Sequence, residues 1–539
     1  MSYHSSFAKW LINNPNFIKQ KIFFNLEKKI YGRYSQKYYP KNINTLISKY
    51  LETQKNDFKV ISKRKNRIKY FKDPEEFEKF HRLENINNFT NKNKKFKYIL
   101  NWYKNYLPLI HFNNETKYKL IWESYTISYR IINTINFQKN YNINLFNKYI
   151  KFETQILLNK LEFFHKGINN HILKNSQAII FVGLFLEDKN LSKIGFKILY
   201  DSLKILINRN GLLRESSSNY QFLICNLLLE ISEFILNHKQ KPNKILLNYI
   251  AKMLNACDFF ILKKKMVIFG DTTPDKSVKD LEKNFLSYKN KFPKTSKLIE
   301  KKTFKRNIIK NKLGEFYKIK NKNIIVFFKF LNQGLLDFLN HQHEDNFHFN
   351  LYYNNMPVLV DLNRLNYIKE DGTFSKHHNS VSVNNFGPLI NNSKKYPIKF
   401  LKSKNSLKII KNINIFMGSN CFKFINSDFK WKRNITLSKK EFQLKDVLTS
   451  EKSSEKKVYL HFHPNIKFLK RNNNKIIFLN KELNLKIELE ILNSKNTKSK
   501  LKSSVYSNSY GSKLNTLTLV CENIHDKTFT NKILLRFID

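Results

Sequence analysis

The sequence predicts an α+β chain in two parts, an array of helices over residues 1–305 followed by an antiparallel β-sandwich over 306–539. Three observations predict it. Apolar residues recur at helical spacing through Tyr98–Tyr106, Asn142–Phe164, Ser176–Phe185, Ile194–Ile207, Tyr220–Leu236 and Lys244–Leu262, which marks one face of a 3.6-residue period. Near residue 305 the pattern changes to short β-rich runs separated by polar turns. Gly and Pro are sparse in the helical part, where breaks fall at polar stretches such as Asn208–Gly211 and Lys239–Asn243. Helices of similar length with short connections suit an α/α array better than a single four-helix bundle.

In the second part, Glu315–Phe330 reads as two strands across a turn at Asn321-Lys322-Asn323. Similar runs follow at His348–Tyr353, Met356–Asp361, Ser380–Val383, Ile409–Phe416, Lys457–His463, Lys475–Leu479, Leu485–Ile491 and Leu514–Val520. Short strands of this kind pack as two sheets. The clusters Asn472-Asn473-Asn474 and Ser494–Ser503 read as surface loops.

Composition narrows the function classes. Apolar residues make up 41% of the 539, enough for real cores and against wholesale disorder. Only 12 residues are Gly, which excludes collagen-like and Gly-rich chains. Cys225, Cys257, Cys421 and Cys521 are scattered and form neither a zinc ribbon nor a disulfide framework. Lys plus Arg is 97 against 42 Asp plus Glu, a net charge of +55, which attracts polyanions. The sequence is equally rich in the residues of AT-rich codons, and its lysines are spread along the chain rather than blocked. A nucleic-acid module would show basic blocks, so no specific nucleic-acid partner is expected. No apolar run reaches 18 residues, so no transmembrane helix is expected. Residues 1–17 lack a basic region followed by an apolar one. That start suits a cytoplasmic protein, with a periplasmic one as the alternative.

The densest chemical cluster is His341-Gln342-His343-Glu344-Asp345, with Asp361 eighteen residues after His343 and His378 seventeen further on. Two histidines and a carboxylate from neighbouring strands can make a tetrahedral zinc site with one more ligand or water; ordinary turn histidines are the other reading. Asn169-Asn170-His171 reads as a helix junction with a good N-cap. Tyr220 starts a helix after Arg214-Glu215-Ser216-Ser217-Ser218-Asn219. Gly270-Asp271-Thr272-Thr273 reads as a turn after an apolar run. Trp122-Glu123-Ser124-Tyr125 with Arg130 reads as helix packing around one salt bridge.

In order along the chain, these segments resemble the heparinase II/III family of polysaccharide lyases and its alginate-lyase relatives. Asn169-Asn170-His171 with NSQAIIFVGLFL is similar to the family's N-N-H junction and apolar helix. NGLLRESSSNYQFLICNLLLEI resembles its G-x-x-x-E-x-S-x-x-Y helix start. HQHEDNFHFNLYYNNMPVLVDLNRLNY resembles its H-x-H-x-D-x-x-x-F-x-L-Y…V-D…Y signature, and HHNSVSVNN its H-N-[TS]-V-x-V element. The similarity spans about residues 120–385. Asn340 stands where the family often has Gly, Asp361 is followed by Leu362-Asn363-Arg364, and Leu365 replaces an aromatic.

The resemblance implies an incomplete α/α toroid over 1–305, carrying the catalytic Asn, His and Tyr, and a β-sandwich over 306–539, carrying a catalytic His and zinc. It also implies β-elimination on a uronic-acid polysaccharide. Asn170 and His171 would hydrogen-bond the uronate carboxylate, Tyr220 would serve as base and acid, and His341 would be the base for the opposite C5 epimer. Arg130, Glu215 and Tyr367 become candidates for binding substrate in a groove between toroid and sandwich. His343, Asp361 and His378 would hold a structural zinc. The alternative is a non-catalytic glycan-binding or surface-polysaccharide assembly protein on the same fold.

Overall fold

The computed structural model describes residues 47–49, 52, 74–112, 119–161, 169–301, 311–331, 341, 343–366, 372–385, 387, 404–421, 429–493 and 496–538. The chain divides into two compact units, residues 1–206 and 207–539. Helices precede antiparallel sheets along the sequence, as expected, and the change falls between Lys301 and Lys312. Among the described residues no helix is long and apolar enough to cross a membrane.

The first unit carries the helices Pro74–His81, Lys92–Tyr106, Ser124–Tyr141, Asn147–Asn159, Asn170–Phe185 and Lys189–Leu206. Asn142 does not join the helix expected from it. It is left-handed (φ 50°) and closes the preceding helix by donating its N–H to Gln138 and Lys139 carbonyls. The helix expected from Ser176 begins earlier, at Asn170, because the Asn169 side chain accepts the His171 N–H at 2.9 Å. Its polar first turns find partners: Lys174 donates to Gln177 in the same helix, and Asn175 to Ser128 on the helix Ser124–Tyr141.

A buried ion pair centres this unit. Arg130 bonds Glu153 through Nε, and its Nη1 donates to the carbonyls of His81 (2.8 Å) and Ile121 (3.2 Å). The guanidinium carbon sits 4.1 Å from the Trp102 ring centroid. His81 accepts the Trp102 indole N–H at 3.1 Å, which a neutral imidazole can do. Burial, then the Arg130 charge, pushes the His81 pKa down to about 2.

The second unit opens with the helices Ser218–Asn237 and Lys244–Phe259 and a two-stranded ribbon, Ile261–Leu262 with Lys265–Met266. Shorter helices follow at Val278–Leu286, Tyr288–Lys291 and Pro293–Lys301. A five-stranded antiparallel sheet runs in sequence order through Lys312–Leu313, Phe316–Asn321, Ile324–Lys329, Phe349–Tyr353 and Met356–Leu359. An eight-stranded sheet has the spatial order Ile466–Asn472, Lys475–Asn480, Leu485–Ile491, Thr528–Ile538, Glu441–Ser450, Phe429–Leu437, Asn414–Cys421 and Lys404–Ile410. A four-stranded sheet has the order Lys498–Tyr506, Leu514–Asn523, Lys456–His461 and Val381–Val383. One hydrophobic core takes residues from all three, among them Phe349, Trp431, Leu460 and Phe537.

Two expectations for the β part change. Ile409–Phe416 is no single strand: Lys411 and Asn412 have positive φ and turn the chain between two strands. Ser494–Ser503 is not all loop, since a strand starts at Lys498. Phe429–Leu437 hides in the sequence because Lys430, Lys432 and Arg433 make it look polar. Alternation sends the lysines outward and Arg433 inward. Each guanidinium nitrogen of Arg433 finds an acceptor there. Nε and Nη2 donate to Asp446 at 2.7 and 2.9 Å, and Nη1 to the carbonyls of Phe347 and Asn379 at 2.8 and 2.7 Å. Asp446 lies directly opposite in the register and also accepts from Trp431 Nε1.

Arg433→Met leaves the Asp446 carboxylate buried and unpaired. It is expected to cost about 3–5 kcal/mol, read as a lower urea midpoint. His81 gives a pH prediction. Its folded-state pKa is depressed, so the unfolded chain binds the extra proton below pH 6.5, and stability falls as pH drops from 6.5 toward 2. His81→Gln should remove about 1.4 kcal/mol per pH unit of that slope between pH 6 and 4, measured from urea midpoints.

Candidate active site and metal centre

The second unit assembles its polar centre at the start of the helix Ser218–Asn237. Ser217 caps this helix by accepting the Tyr220 N–H at 3.2 Å. The same helix start holds the turn after Phe269. Ser218 N–H donates to the Phe269 carbonyl, Phe269 N–H to Ser218 Oγ, Thr273 N–H to Asn219 Oδ1, and Ser217 Oγ to the Asp271 carbonyl. Gly270 is required in this turn. Its φ is +71°, and a Cβ there would stand 2.7 Å from the Ser216 carbonyl oxygen and 3.0 Å from that of His341. The turn is thus pressed between the Tyr220 helix and the His341 segment.

Tyr220 and His341 stack face to face, with ring centroids 3.7 Å apart and planes 16° apart. Tyr220 is buried, and the His341 side chain keeps 13% of its surface exposed. His341 Nδ1 lies 3.0 Å from Asp271 Oδ2, and its Nε2 lies 3.7 Å from Glu215 Oε2. His343 Nε2 lies 2.7 Å from the other Asp271 oxygen, Oδ1. Arg364 Nη1 stands 3.3–3.4 Å from both oxygens. Burial alone would raise the Asp271 pKa, but the hydrogen bonds from His341 and His343 outweigh it and hold the carboxyl well below the ordinary range.

His343, Asp361 and His378 are buried together, with one donor atom of each within 4.8 Å of the others. His378 Nδ1 is 3.0 Å from both Asp361 oxygens. Burial works against an ionised Asp361, but the neighbouring imidazoles, His378 first and with a hydrogen bond as well, prevail, so its pKa is lowered. His343 Nδ1 and His378 Nε2 are buried with no hydrogen-bond partner. Buried unpaired nitrogens are costly, and a divalent metal would satisfy them. The donor set of two imidazoles and one carboxylate therefore fits a metal. His348 is not a further ligand in this rotamer. Its Nδ1 accepts the Asn379 N–H at 2.9 Å, so the neutral ring carries its proton on Nε2, 3.5 Å from Asp361 Oδ2. Burial lowers the His348 pKa to about 4.

The structure thus gathers Tyr220, Glu215 and His341, and separately His343, Asp361 and His378, within the second unit. Asn170 and His171 open a helix of the first unit, where the His171 ring stacks on Tyr125 at 4.2 Å between centroids. Arg130 is fully buried, and its bonds to Glu153 and two carbonyls agree with the helix-packing reading of its surroundings. Tyr367 lies outside the described residues. Sequence reasoning missed Asp271 and Arg364 as parts of the centre. Asp271 stood in a Gly-Asp-Thr-Thr turn whose only signal was its position after an apolar run.

Residues 306–533 match the family described as heparinase II/III-like, C-terminal. A comparison with curated protein sequences finds no match. Among solved structures, a heparinase III is 13% identical, with a TM-score of 0.64 over 88% of this chain and 80% of that one. A heparan sulfate lyase from Pedobacter heparinus is 16% identical, with a TM-score of 0.53 over 92% of this chain and 83% of that one. A chondroitin AC lyase from Streptomyces coelicolor A3, solved with chondroitin sulphate, is 6% identical, with a TM-score of 0.51 over 94% and 79%. At these identities the likeness is one of fold: helices followed by antiparallel sheets, the α/α toroid and β-sandwich of polysaccharide lyases.

Chelator-stripped protein is expected to gain stability on adding a divalent transition metal, by about 2.7 kcal/mol at a hundredfold excess over Kd. His378→Ala should abolish the gain. A thermal midpoint that no metal moves would mean that the triad is a hydrogen-bonded cluster only.

Proposed function

We propose that the protein is a lyase that cleaves a uronic-acid-containing acidic polysaccharide by β-elimination. The observation that carries the reading is the contact of Tyr220 with His341, an acid–base pair stacked at 3.7 Å beside a buried carboxylate. The heparinase II/III-like match and the polysaccharide-lyase fold support it, and the charge of +55 suits an anionic polymer. The division of the chain into a helical domain, 1–305, and a sandwich domain, 306–539, belongs to the same proposal.

The chemistry needs three parts. The uronate carboxylate must accept negative charge as the C5 proton leaves, so hydrogen-bond donors must face it. Asn170 offers an amide NH2 and His171 a ring N–H, and both are assigned to this role. A base must take the C5 proton. Tyr220 serves as phenolate when proton and leaving oxygen share a face of the sugar, and His341 serves when they do not. The C5–H electron pair then forms the C4–C5 double bond, the C4–O bond breaks, and Tyr220 returns a proton to O4. Glu215, near His341 Nε2, is assigned to the substrate-binding wall.

His343, Asp361 and His378 would hold zinc, the metal that two imidazoles and a carboxylate suit best. Bound there, it supplies a fixed positive charge that orders the strand entry following His341. The residues themselves do the proton transfers.

Incubation with a panel of uronate polymers should give a rise in ultraviolet absorbance from the unsaturated product with one of them. Tyr220→Phe should lower the rate by about 10²–10⁴-fold. Folded, metal-loaded protein that gives no rise on any polymer would favour the non-catalytic glycan-binding reading.

A further inference from the structure

We infer that Asp271 is a positioning residue of this site, one carboxylate that fixes the tautomers of both His341 and His343 and so joins the acid–base pair to the metal centre. The role given to His341 rests on the lyase reading above; the role given to His343 does not.

An ionised carboxylate only accepts hydrogen bonds. Each Asp271 oxygen faces a different imidazole, at 3.0 Å from His341 Nδ1 and 2.7 Å from His343 Nε2. Both of those nitrogens must therefore carry protons. Neutral His341 then has its lone pair on Nε2, the nitrogen free to take a proton from substrate. His343 has its lone pair on Nδ1, the buried nitrogen left without a hydrogen-bond partner beside Asp361 and His378. Metal-bound imidazoles commonly pass their other N–H to a carboxylate, and Asp271 meets that need while holding a second histidine in the opposite sense.

The carboxylate is itself rigidly held. Its main-chain carbonyl accepts from Ser217 Oγ, its turn is stitched to Ser218 and Asn219, and Gly270 brings it against the His341 backbone. Arg364 places a positive charge 3.3–3.4 Å from both oxygens, which offsets the cost of burying the anion. Tyr220 starts the very helix that grips this turn, so the phenol, the imidazole and the metal ligand share one support.

Asp271→Asn tests the idea, because an amide has one accepting and one donating side. It can satisfy only one of the two ring N–H groups. If the amide oxygen faces His343, the NH2 drives His341 to the Nε2–H tautomer. Elimination should then fall by two to four orders of magnitude in kcat, with little change in KM. If the oxygen faces His341, His343 is driven to Nδ1–H, and zinc affinity should fall by about 10–100-fold. The readouts are the tautomers, from long-range nitrogen–proton correlations on histidine-labelled protein, and the zinc Kd by competition with a chelator. Both are independent of lyase activity, so they decide the inference even if no polymer proves to be a substrate. A folded Asp271→Asn protein with both tautomers unchanged and zinc affinity within threefold of the parent would overturn it. If that variant does not fold, the parent protein decides: His341 must be Nδ1–H and His343 Nε2–H with zinc bound, and the opposite tautomer at either ring would overturn the inference.

Discussion

The second unit depends on the turn from Phe269 to Thr273 being held at close range from both sides. On one side the first residues of the helix Ser218–Asn237 supply hydroxyl, amide and backbone partners for it. On the other, only a glycine at position 270 leaves room for the His341 main chain. Because the turn is buried, each of its polar groups needs a partner, and those partners come from the elements that carry Tyr220 and His341. The need to satisfy a buried turn thus fixes the spacing of the two rings, whose stacking at 3.7 Å would otherwise depend on side-chain packing alone.

The same rule operates deeper in the sandwich. Arg433 stands on the inner face of its strand, where an apolar residue would be the ordinary choice. Its charge is balanced by Asp446 across the register, and its remaining donors reach the carbonyls of Phe347 and Asn379. Those carbonyls flank His348 and His378. A core ion pair therefore braces the segments that border the candidate metal triad, and Asn379 extends the brace by donating to the carbonyls of Phe349 and Val360. The first unit has its own version in Arg130 and Glu153, flanked by Trp102 and Trp122. Buried charges are tolerated in these places because each guanidinium gives several hydrogen bonds and stacks on an aromatic face.

The polar centre divides its work by environment. Asp271 and Asp361 are both buried, yet neighbouring imidazoles keep both carboxylates ionised. Burial holds His348 and His461 neutral in spite of the nearby Asp361. Asp361 itself stays deprotonated, as a metal ligand must be.

The sequence by itself determined that helices precede strands and that Asn169-Asn170 makes a helix junction, and it offered His341, His343, Asp361 and His378 as a chemical cluster; Tyr220 entered through the family resemblance. The helix–strand order and the junction were legible because capping side chains act within a few residues and side-chain periodicity is local, and the His/Asp cluster because its residue types stand close together in sequence. Strands such as Phe429–Leu437 were not legible, since their inward arginine is explained only by a partner on the next strand. The salt bridge expected around Arg130 is present, but its partner Glu153, twenty-three residues on, could not be named from the sequence. Only the tertiary structure decided that Asp271, seventy residues before His341, joins that histidine to His343. A carboxylate in a turn has no local signature of its function, because its hydrogen-bonding partners are chosen by the packing of distant segments.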